Sequence, residues 1–158
     1  MQKYIGTKMI QAEPAYRYWM EDGEKVIVAH DDENPKKVKD AIACDDGYKV
    51  VYPDGYVSWS PKEVFEEAYR LTDGMSFGLA IEAAKRGERV ARKGWNGKNQ
   101  YVELACCISY VNREQLIVNV FHKNIGNKAL AFVGTSGVQM GWLASQADML
   151  ADDWCIVE

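Results

Sequence analysis

The sequence of 158 residues predicts an α+β protein in which an antiparallel sheet is combined with two or three short helices. Segments rich in Val, Ile, Tyr and Phe follow one another through short polar connections, and such connections favour antiparallel strand pairing. Apolar residues at helical spacing occur only in short segments, which limits each helix to a few turns. With 47% hydrophobic and 27% charged residues, the chain has the composition of a soluble globular protein.

The first 73 residues are predicted to form a small α/β module that begins with strands. We expect a strand near residues 4–12, which Pro14 would end, and a second strand over residues 26–29. Two runs rich in Tyr and Val flank Pro53-Asp54-Gly55. This pattern predicts a hairpin with an Asp-Gly turn.

A helix over residues 61–71 is predicted to follow, with Ser60 as its N-cap and Glu63 completing a capping box. The charge then changes, because residues 1–73 hold 10 basic and 15 acidic side chains whereas residues 74–158 hold 9 and 8. We therefore place a module boundary after residue 73 and expect a ligand-binding module over 74–158. One short basic cluster suits a small phosphorylated ligand, whereas a nucleic acid duplex requires a basic face that neutralises several phosphates.

The second module is predicted to begin with a helix over residues 77–86, which Gly87 ends, followed by a strand over 88–92. Near the end of the chain, Ser145 is placed to cap a short helix that carries Asp148 at its third position. Four further strands are expected, over residues 101–111, 116–121, 130–133 and 154–157.

The stretch from residue 85 to residue 98 has the composition of an anion-binding surface, since it holds six basic side chains and one acidic side chain. Arg89 and Arg92 offer planar donor forks that suit phosphate. Trp95 offers a face on which a purine can stack, and Asn96 offers a paired donor and acceptor that can read a base edge.

Structural alternatives stay open for the same residues. Trp95 is either a ligand-stacking residue or an ordinary core residue at the end of a strand, and Asn96-Gly97 is a hairpin-turn signal whatever the function. Ser145 and Asp148 either cap the last helix or contribute to a nucleotide site at its N-terminus, just after Trp142. In a nucleotide site, Asp148 would accept from ribose hydroxyls or the adenine amine.

Three ordered blocks resemble one family of phage proteins. They are Ser76-Phe77-Gly78-Leu79-Ala80 with Gly87, then Val90-Ala91-Arg92-Lys93-Gly94-Trp95-Asn96-Gly97-Lys98, and then the segment from Trp142 to Trp154. Over residues 75–158 the chain resembles the second Thoeris anti-defence family. Residues 1–73 resemble an N-terminal module common in small phage proteins, to which no activity is attached.

The resemblance implies a sponge that acts in the cytoplasm of the infected bacterial cell. Members of the family bind a cyclic nucleotide immune signal, glycocyclic ADP-ribose, without cleaving it, and some bind cyclic oligonucleotide signals of related defences such as CBASS. The family forms homotetramers with ligand pockets between subunits. The implied ligand-binding residues in this sequence are Phe77, Arg89, Arg92, Trp95, Asn96, Gly97, Trp142, Ser145, Gln146 and Asp148.

Two other functions compete with the sponge. A hydrolase of the same signal would use Glu103 or Asp148 as a base, but the chain has two histidines, no Gly-x-Ser-x-Gly, no Walker motif and no paired metal-ligand spacing. A protein-binding inhibitor would use the acidic segments Asp31-Asp32-Glu33 and Asp45-Asp46. We expect no catalytic residue.

We also expect no metal, no cofactor and no membrane segment. His30 beside Asp31-Asp32 resembles part of a ligand set, but nothing near it in sequence completes the set. The four cysteines show no C-x-x-C spacing and are expected to be reduced thiols. No apolar run approaches the ~20 residues of a membrane span, and the N-terminus lacks the apolar stretch of a signal peptide.

Overall fold

The computed structural model describes residues 2–3, 6–32, 38–95, 99–119 and 127–158. The chain divides into two compact units, Met1–Arg70 and Leu71–Glu158. Both are built on antiparallel sheets with short helices, which confirms the α+β class. The assignment of separate functions to the modules 1–73 and 74–158 stays a prediction.

The first unit contains a four-stranded antiparallel sheet in the order β2-β1-β3-β4. Its strands are β1 (Gln11–Met20), β2 (Lys25–Ala29), β3 (Ala41–Val51) and β4 (Val57–Pro61). The hairpin between β3 and β4 is confirmed, since the Tyr52 and Tyr56 backbones pair and Gly55 adopts a φ of +84°. Such a φ suits glycine because it has no Cβ. The strand predicted over 26–29 corresponds to β2.

The predicted strand near residues 4–12 was wrong over residues 6–10, because β1 begins at Gln11 and continues through Pro14 to Met20; residues 4 and 5 lie outside the described residues. The carbonyl of Pro14 accepts from the N–H of His30 at 3.0 Å, so it faces the β2 side of the strand. The N and the carbonyl of one residue face the same side of a strand, so the proline nitrogen also faces the β2 side. Pro14 is tolerated because this nitrogen lies beyond the end of β2, where its missing hydrogen removes no bond to β3.

The predicted capping box was also wrong. Helix α1 (Lys62–Ala68) has Pro61 at its N-cap with no side-chain cap, because Ser60 is still paired with Tyr48 in the sheet. The helix ends three residues earlier than predicted, since Tyr69 has an extended backbone. Phe65 of α1 stacks on Tyr48 at 4.1 Å, so the helix covers one face of the sheet.

On the other face of the sheet, two tryptophans and an arginine are stacked. The guanidinium of Arg17 lies 3.8 Å from the centroid of Trp59 and 4.9 Å from that of Trp19. Asp45 accepts from both Arg17, at 2.7 Å, and the indole of Trp19, at 2.8 Å. The Trp59 ring packs closely on Gly47, where an added Cβ would be 2.6 Å from a ring carbon. This stack covers a sheet face on which α1 does not pack.

The second unit contains a five-stranded antiparallel sheet in the order β10-β9-β6-β5-β11. Its strands are β5 (Arg89–Arg92), β6 (Tyr101–Cys106), β9 (Lys128–Gly134), β10 (Gly137–Met140) and β11 (Trp154–Val157). Helix α2 (Phe77–Lys85) packs on this sheet through buried alanines, against Val90, Val102 and Trp154. The predicted helix 77–86 and the strands 88–92, 130–133 and 154–157 are confirmed within a few residues.

Two elements of the second unit differ from the prediction. The strand predicted over 101–111 is interrupted, because Cys107 adopts a φ of +54° and separates β6 from the short β7 (Tyr110–Val111). β7 pairs with β8 (Ile117–Val118), which lies in the predicted strand 116–121. Residues 120 and 121 of that prediction lie outside the described residues. The edge strand β10 was not predicted. The last helix, α3 (Gln146–Met149), is the short helix expected after Ser145.

Candidate functional site

A cluster of aromatic side chains lies in the second unit where β5, β9 and β11 meet the segment before α3. The centroid of Trp95 lies 5.4 Å from Phe132, 6.0 Å from Trp142 and 5.4 Å from Trp154, and its ring plane meets theirs at 68–76°. Trp154 is fully buried, whereas Trp95 and Trp142 are half-buried. Trp95 is therefore in contact with the core and also retains some exposure to solvent.

Arg92 occupies the polar edge of this cluster. Its Nε donates to Asp153 Oδ1 at 2.8 Å and its Nη2 to Asp153 Oδ2 at 3.4 Å, while Nη1 donates to Asp148 Oδ1 at 3.0 Å and to the Ala147 carbonyl at 3.2 Å. The hydrogen bonds from Arg92 to Asp153 and then to Asp148 raise the pKa of the guanidinium above its usual value. The group of three side chains carries a net charge of −1 near neutral pH.

Asp148 has a second set of partners within its own helix. Its Oδ2 accepts from the Ser145 hydroxyl at 2.7 Å and from the Ser145 N–H at 3.1 Å, and its own N–H donates back to Ser145 Oγ. Burial alone would raise the pKa of Asp148, but hydrogen bonds from Ser145, Arg92 and Trp95 outweigh it and lower the pKa to about 2. The capping alternative for Ser145 and Asp148 is therefore confirmed as a structural role.

The structure brings five of the predicted site residues together and separates others. Arg92, Trp95, Trp142, Ser145 and Asp148 form the cluster, and Phe77 touches it through Trp154 at 5.5 Å. Gln146 is exposed at the start of α3. Arg89 lies at the opposite end of β5, where it pairs with Glu103 at 3.5 Å. Asn96 and Gly97 lie outside the described residues, so their predicted roles and the predicted turn stay predictions.

The basic stretch is paired with carboxylates within this chain. Lys85 contacts Glu82 at 2.7 Å, Lys93 contacts Asp73 at 3.4 Å, and Arg89 and Arg92 have the partners given above. These acids lie 3 to 61 positions away in sequence, so counting charges along the stretch did not find them. The predicted anion-facing surface stays a prediction, and within the described part of the stretch Lys85, Arg89, Arg92 and Lys93 each have an acidic neighbour.

Sequence reasoning missed Asp153, which joins two parts of the cluster. It holds the Arg92 guanidinium, and its Oδ2 also accepts from the Gly94 N–H at 3.1 Å. These contacts lower the pKa of Asp153, with the hydrogen bond from Arg92 as the largest cause. The strand register that places Trp154 opposite Arg92 brings Asp153 there. In the sequence, Asp153 is marked only by its position just before a predicted strand, and aspartates in such positions are too common to indicate a functional residue.

In the described part of the chain, no group of three or more His, Cys, Asp or Glu side chains is placed to hold a metal ion. His30 contacts Asp46 at 3.0 Å and stacks on Tyr16. Cys44, Cys106, Cys107 and Cys155 are free thiols, of which only Cys155 is partly buried. None of the described helices has the length and apolar character needed to cross a membrane.

The fold and the cluster define a small α+β protein whose second unit carries a tryptophan-rich polar site at one end of its sheet. A family model described as the Thoeris anti-defense 2-like domain matches residues 75–157, which are 83 of the 158 residues. The chain therefore belongs to the Thoeris anti-defense 2-like family, which confirms the resemblance found in the sequence. It is also 36% identical, over 94 aligned residues, to Thoeris anti-defense 2 of Bacillus phage SP01, covering 52% of this chain and 94% of that protein. The protein thus has a phage anti-defence role.

Proposed function

We propose that the protein is a sponge, which binds a cyclic nucleotide immune signal of the glycocyclic ADP-ribose type and holds it without cleaving it. It would act in the cytoplasm of the infected bacterial cell, without a cofactor. The observation that carries the proposal is the family match over residues 75–157, because this range contains the whole tryptophan cluster. In this proposal residues 74–158 form the nucleotide-binding module.

The chemistry of the cluster supports a nucleotide as the ligand. Trp95 and Trp142 are half-buried indoles, and an adenine can stack on such a ring. Ser145 and Asp148 place a hydroxyl and carboxylate oxygens beside the rings, where ribose hydroxyls or an exocyclic amine can be recognised. We assign the ligand contacts to this cluster, with Phe77, Arg89, Asn96, Gly97 and Gln146 as further predicted members.

Sequestration requires only binding energy. A ligand of roughly 35 heavy atoms at about 0.3 kcal/mol per atom gives on the order of 10 kcal/mol, close to the ~12 kcal/mol of a nanomolar complex. Stacking and hydrogen bonding of the kind available in the cluster are therefore sufficient, and no group that performs a reaction is needed. Related cyclic oligonucleotide signals carry the same bases and phosphates and are proposed as alternative ligands.

A homotetramer is proposed as the binding form. The second unit exposes several large apolar side chains near the cluster and on the β7-β8 hairpin, namely Tyr110, Val111, Leu116, Ile117, Val138, Met140, Leu143 and Leu150. Exposed apolar surface of this kind commonly marks a contact with another chain. Light scattering is expected to give four times the mass of the chain, and a monomer that binds the nucleotide fully would contradict the proposal.

The decisive experiment recovers the ligand after binding. The protein is mixed with glycocyclic ADP-ribose, separated from free nucleotide, heated until it unfolds, and the released nucleotide is identified by mass spectrometry. Stoichiometric recovery of the intact nucleotide is expected. Recovery of a hydrolysed product would indicate an enzyme, and a protein that retains no nucleotide but captures a host protein would indicate the protein-binding inhibitor.

A further inference from the structure

The guanidinium of Arg92 is already occupied by the chain itself. An arginine side chain has five N–H donors, and Arg92 makes four hydrogen bonds with them, to Asp153, Asp148 and the Ala147 carbonyl. Its side chain is 19% exposed, and two carboxylates face its single positive charge. A phosphate would therefore meet a group with a net negative charge and would have to replace existing charge-assisted hydrogen bonds.

The same contacts hold the backbone that carries Trp95. Asp153 binds Arg92 through both carboxylate oxygens, accepts from the Gly94 N–H at 3.1 Å, and accepts from the Lys93 N–H through its carbonyl at 3.1 Å. The N–H of Trp95 donates to the Arg92 carbonyl at 3.2 Å. Asp153 therefore fixes residues 92–95 as one turn against β11.

The Trp95 ring is held by the other carboxylate. Its Nε1 donates to Asp148 Oδ1 at 3.3 Å, and this is the oxygen that also accepts from Arg92 Nη1 at 3.0 Å. Asp148 is itself fixed by Ser145 in the capping box of α3. The orientation of the indole thus depends on an ion-pair network in which, among the described residues, Arg92 supplies the positive charge.

We infer that Arg92 and Asp153 are positioning residues, which hold the Trp95 ring in the orientation that the ligand needs, and that Arg92 does not neutralise a phosphate of the ligand. This inference rests on the proposed function. It assigns to this end of the sheet the recognition of an uncharged part of the nucleotide, such as its base or ribose. The ligand's phosphates would then be bound elsewhere in the site.

Two variants distinguish a positioning role of Arg92 from a phosphate-binding role. Arg92→Lys keeps the charge but loses the planar fork, and Asp153→Asn keeps the shape but releases the guanidinium. If Arg92 positions Trp95, both variants weaken binding of glycocyclic ADP-ribose by about tenfold or more, the scale of one hydrogen bond to a charged group. If Arg92 bound phosphate, Asp153→Asn would leave the affinity unchanged or increase it, because the freed guanidinium could still reach the phosphate. Arg92→Lys would weaken binding in either case, so Asp153→Asn and the Trp95 resonance decide between the two roles.

A second measurement needs no ligand. The indole N–H resonance of Trp95 is assigned by NMR in the free protein, and positioning predicts that it shifts in both variants. Asp152→Asn and Arg113→Lys, at exposed positions, serve as matched controls and should move neither the resonance nor the affinity. Because Arg92→Lys and Asp153→Asn change different side chains, the inference can still be tested if one of the two variants fails to fold.

The outcomes are separable. Weaker binding in both variants together with a shifted Trp95 resonance supports the inference. Wild-type affinity in either variant overturns it, as does weaker binding with an unmoved resonance, because Arg92 would then contact the ligand itself. Absence of binding by the wild-type protein contradicts the proposed function and is seen before any variant is compared.

Discussion

Replacing Asp148 with asparagine is expected to lower the stability of the protein in a way that depends on pH. The side chain is 15% exposed, and its contacts lower its pKa from 3.8 to about 2. This difference corresponds to about 2 kcal/mol of folding free energy. Because the folded pKa is below the unfolded one, this stabilisation is fully present above about pH 4 and is lost as the pH falls towards 2.

The assay is chemical denaturation of the wild-type protein and Asp148→Asn at several pH values between 7 and 2.5. We expect the variant to be about 2 kcal/mol less stable at pH 7 and the difference to shrink below about pH 4. Asp152→Asn, which alters an exposed neighbouring carboxylate, should change stability by less than about 0.5 kcal/mol. A difference that is the same at both ends of the pH range would refute the assigned pKa.

The same samples also test the binding role of Asp148. Asparagine keeps the shape and much of the capping ability of aspartate, but it removes the charge. Lower stability with unchanged nucleotide affinity would assign Asp148 to structure alone. A loss of affinity that exceeds the unfolded fraction would place the carboxylate in contact with the ligand.

Two further predictions concern stability. Gly47→Ala should destabilise the first unit by about 1–3 kcal/mol, because the new methyl group would meet the backbone carbonyl oxygen of Ser60 and the Trp59 ring. Gly6→Ala, where nothing lies within 4 Å, should have little effect, and equal denaturation midpoints for the two variants would contradict the close packing around Gly47. Arg89→Ala should change stability by less than about 1 kcal/mol, because its ion pair with Glu103 is open to solvent: the Arg89 side chain is 49% exposed and that of Glu103 is 39% exposed. A larger loss of stability in a denaturant titration would mean that solvent screens the pair less than this exposure indicates.

Elements whose chemistry is local could be predicted from the sequence. The turn at Asp54-Gly55 and the end of α2 at Gly87 both depend on a glycine with positive φ, and the sequence places a glycine at each. The capping box of Ser145 and Asp148 depends on two residues three positions apart. In these cases the residues that determine the structure are neighbours in the chain.

Elements that depend on strand pairing could not be predicted in the same way. Ser60 and Glu63 match a capping box locally, but pairing with Tyr48 keeps Ser60 in the sheet. Pro14 is usually a strand breaker, and only the position at which β2 ends makes it acceptable. The contact between Arg92 and Asp153 spans 61 positions, so it appears only once β5 and β11 are aligned.

The three indoles of the second unit also provide an optical property. Trp95, Trp142 and Trp154 lie 5.4–6.2 Å apart with ring planes at 70–76° to one another. Chromophores that are this close and not parallel share their electronic excitation, which produces a paired positive and negative band in far-ultraviolet circular dichroism. The other two tryptophans, Trp19 and Trp59, lie in the first unit. Unfolding of the second unit would separate its three indoles, so the loss of their paired band would report that unfolding without an added label.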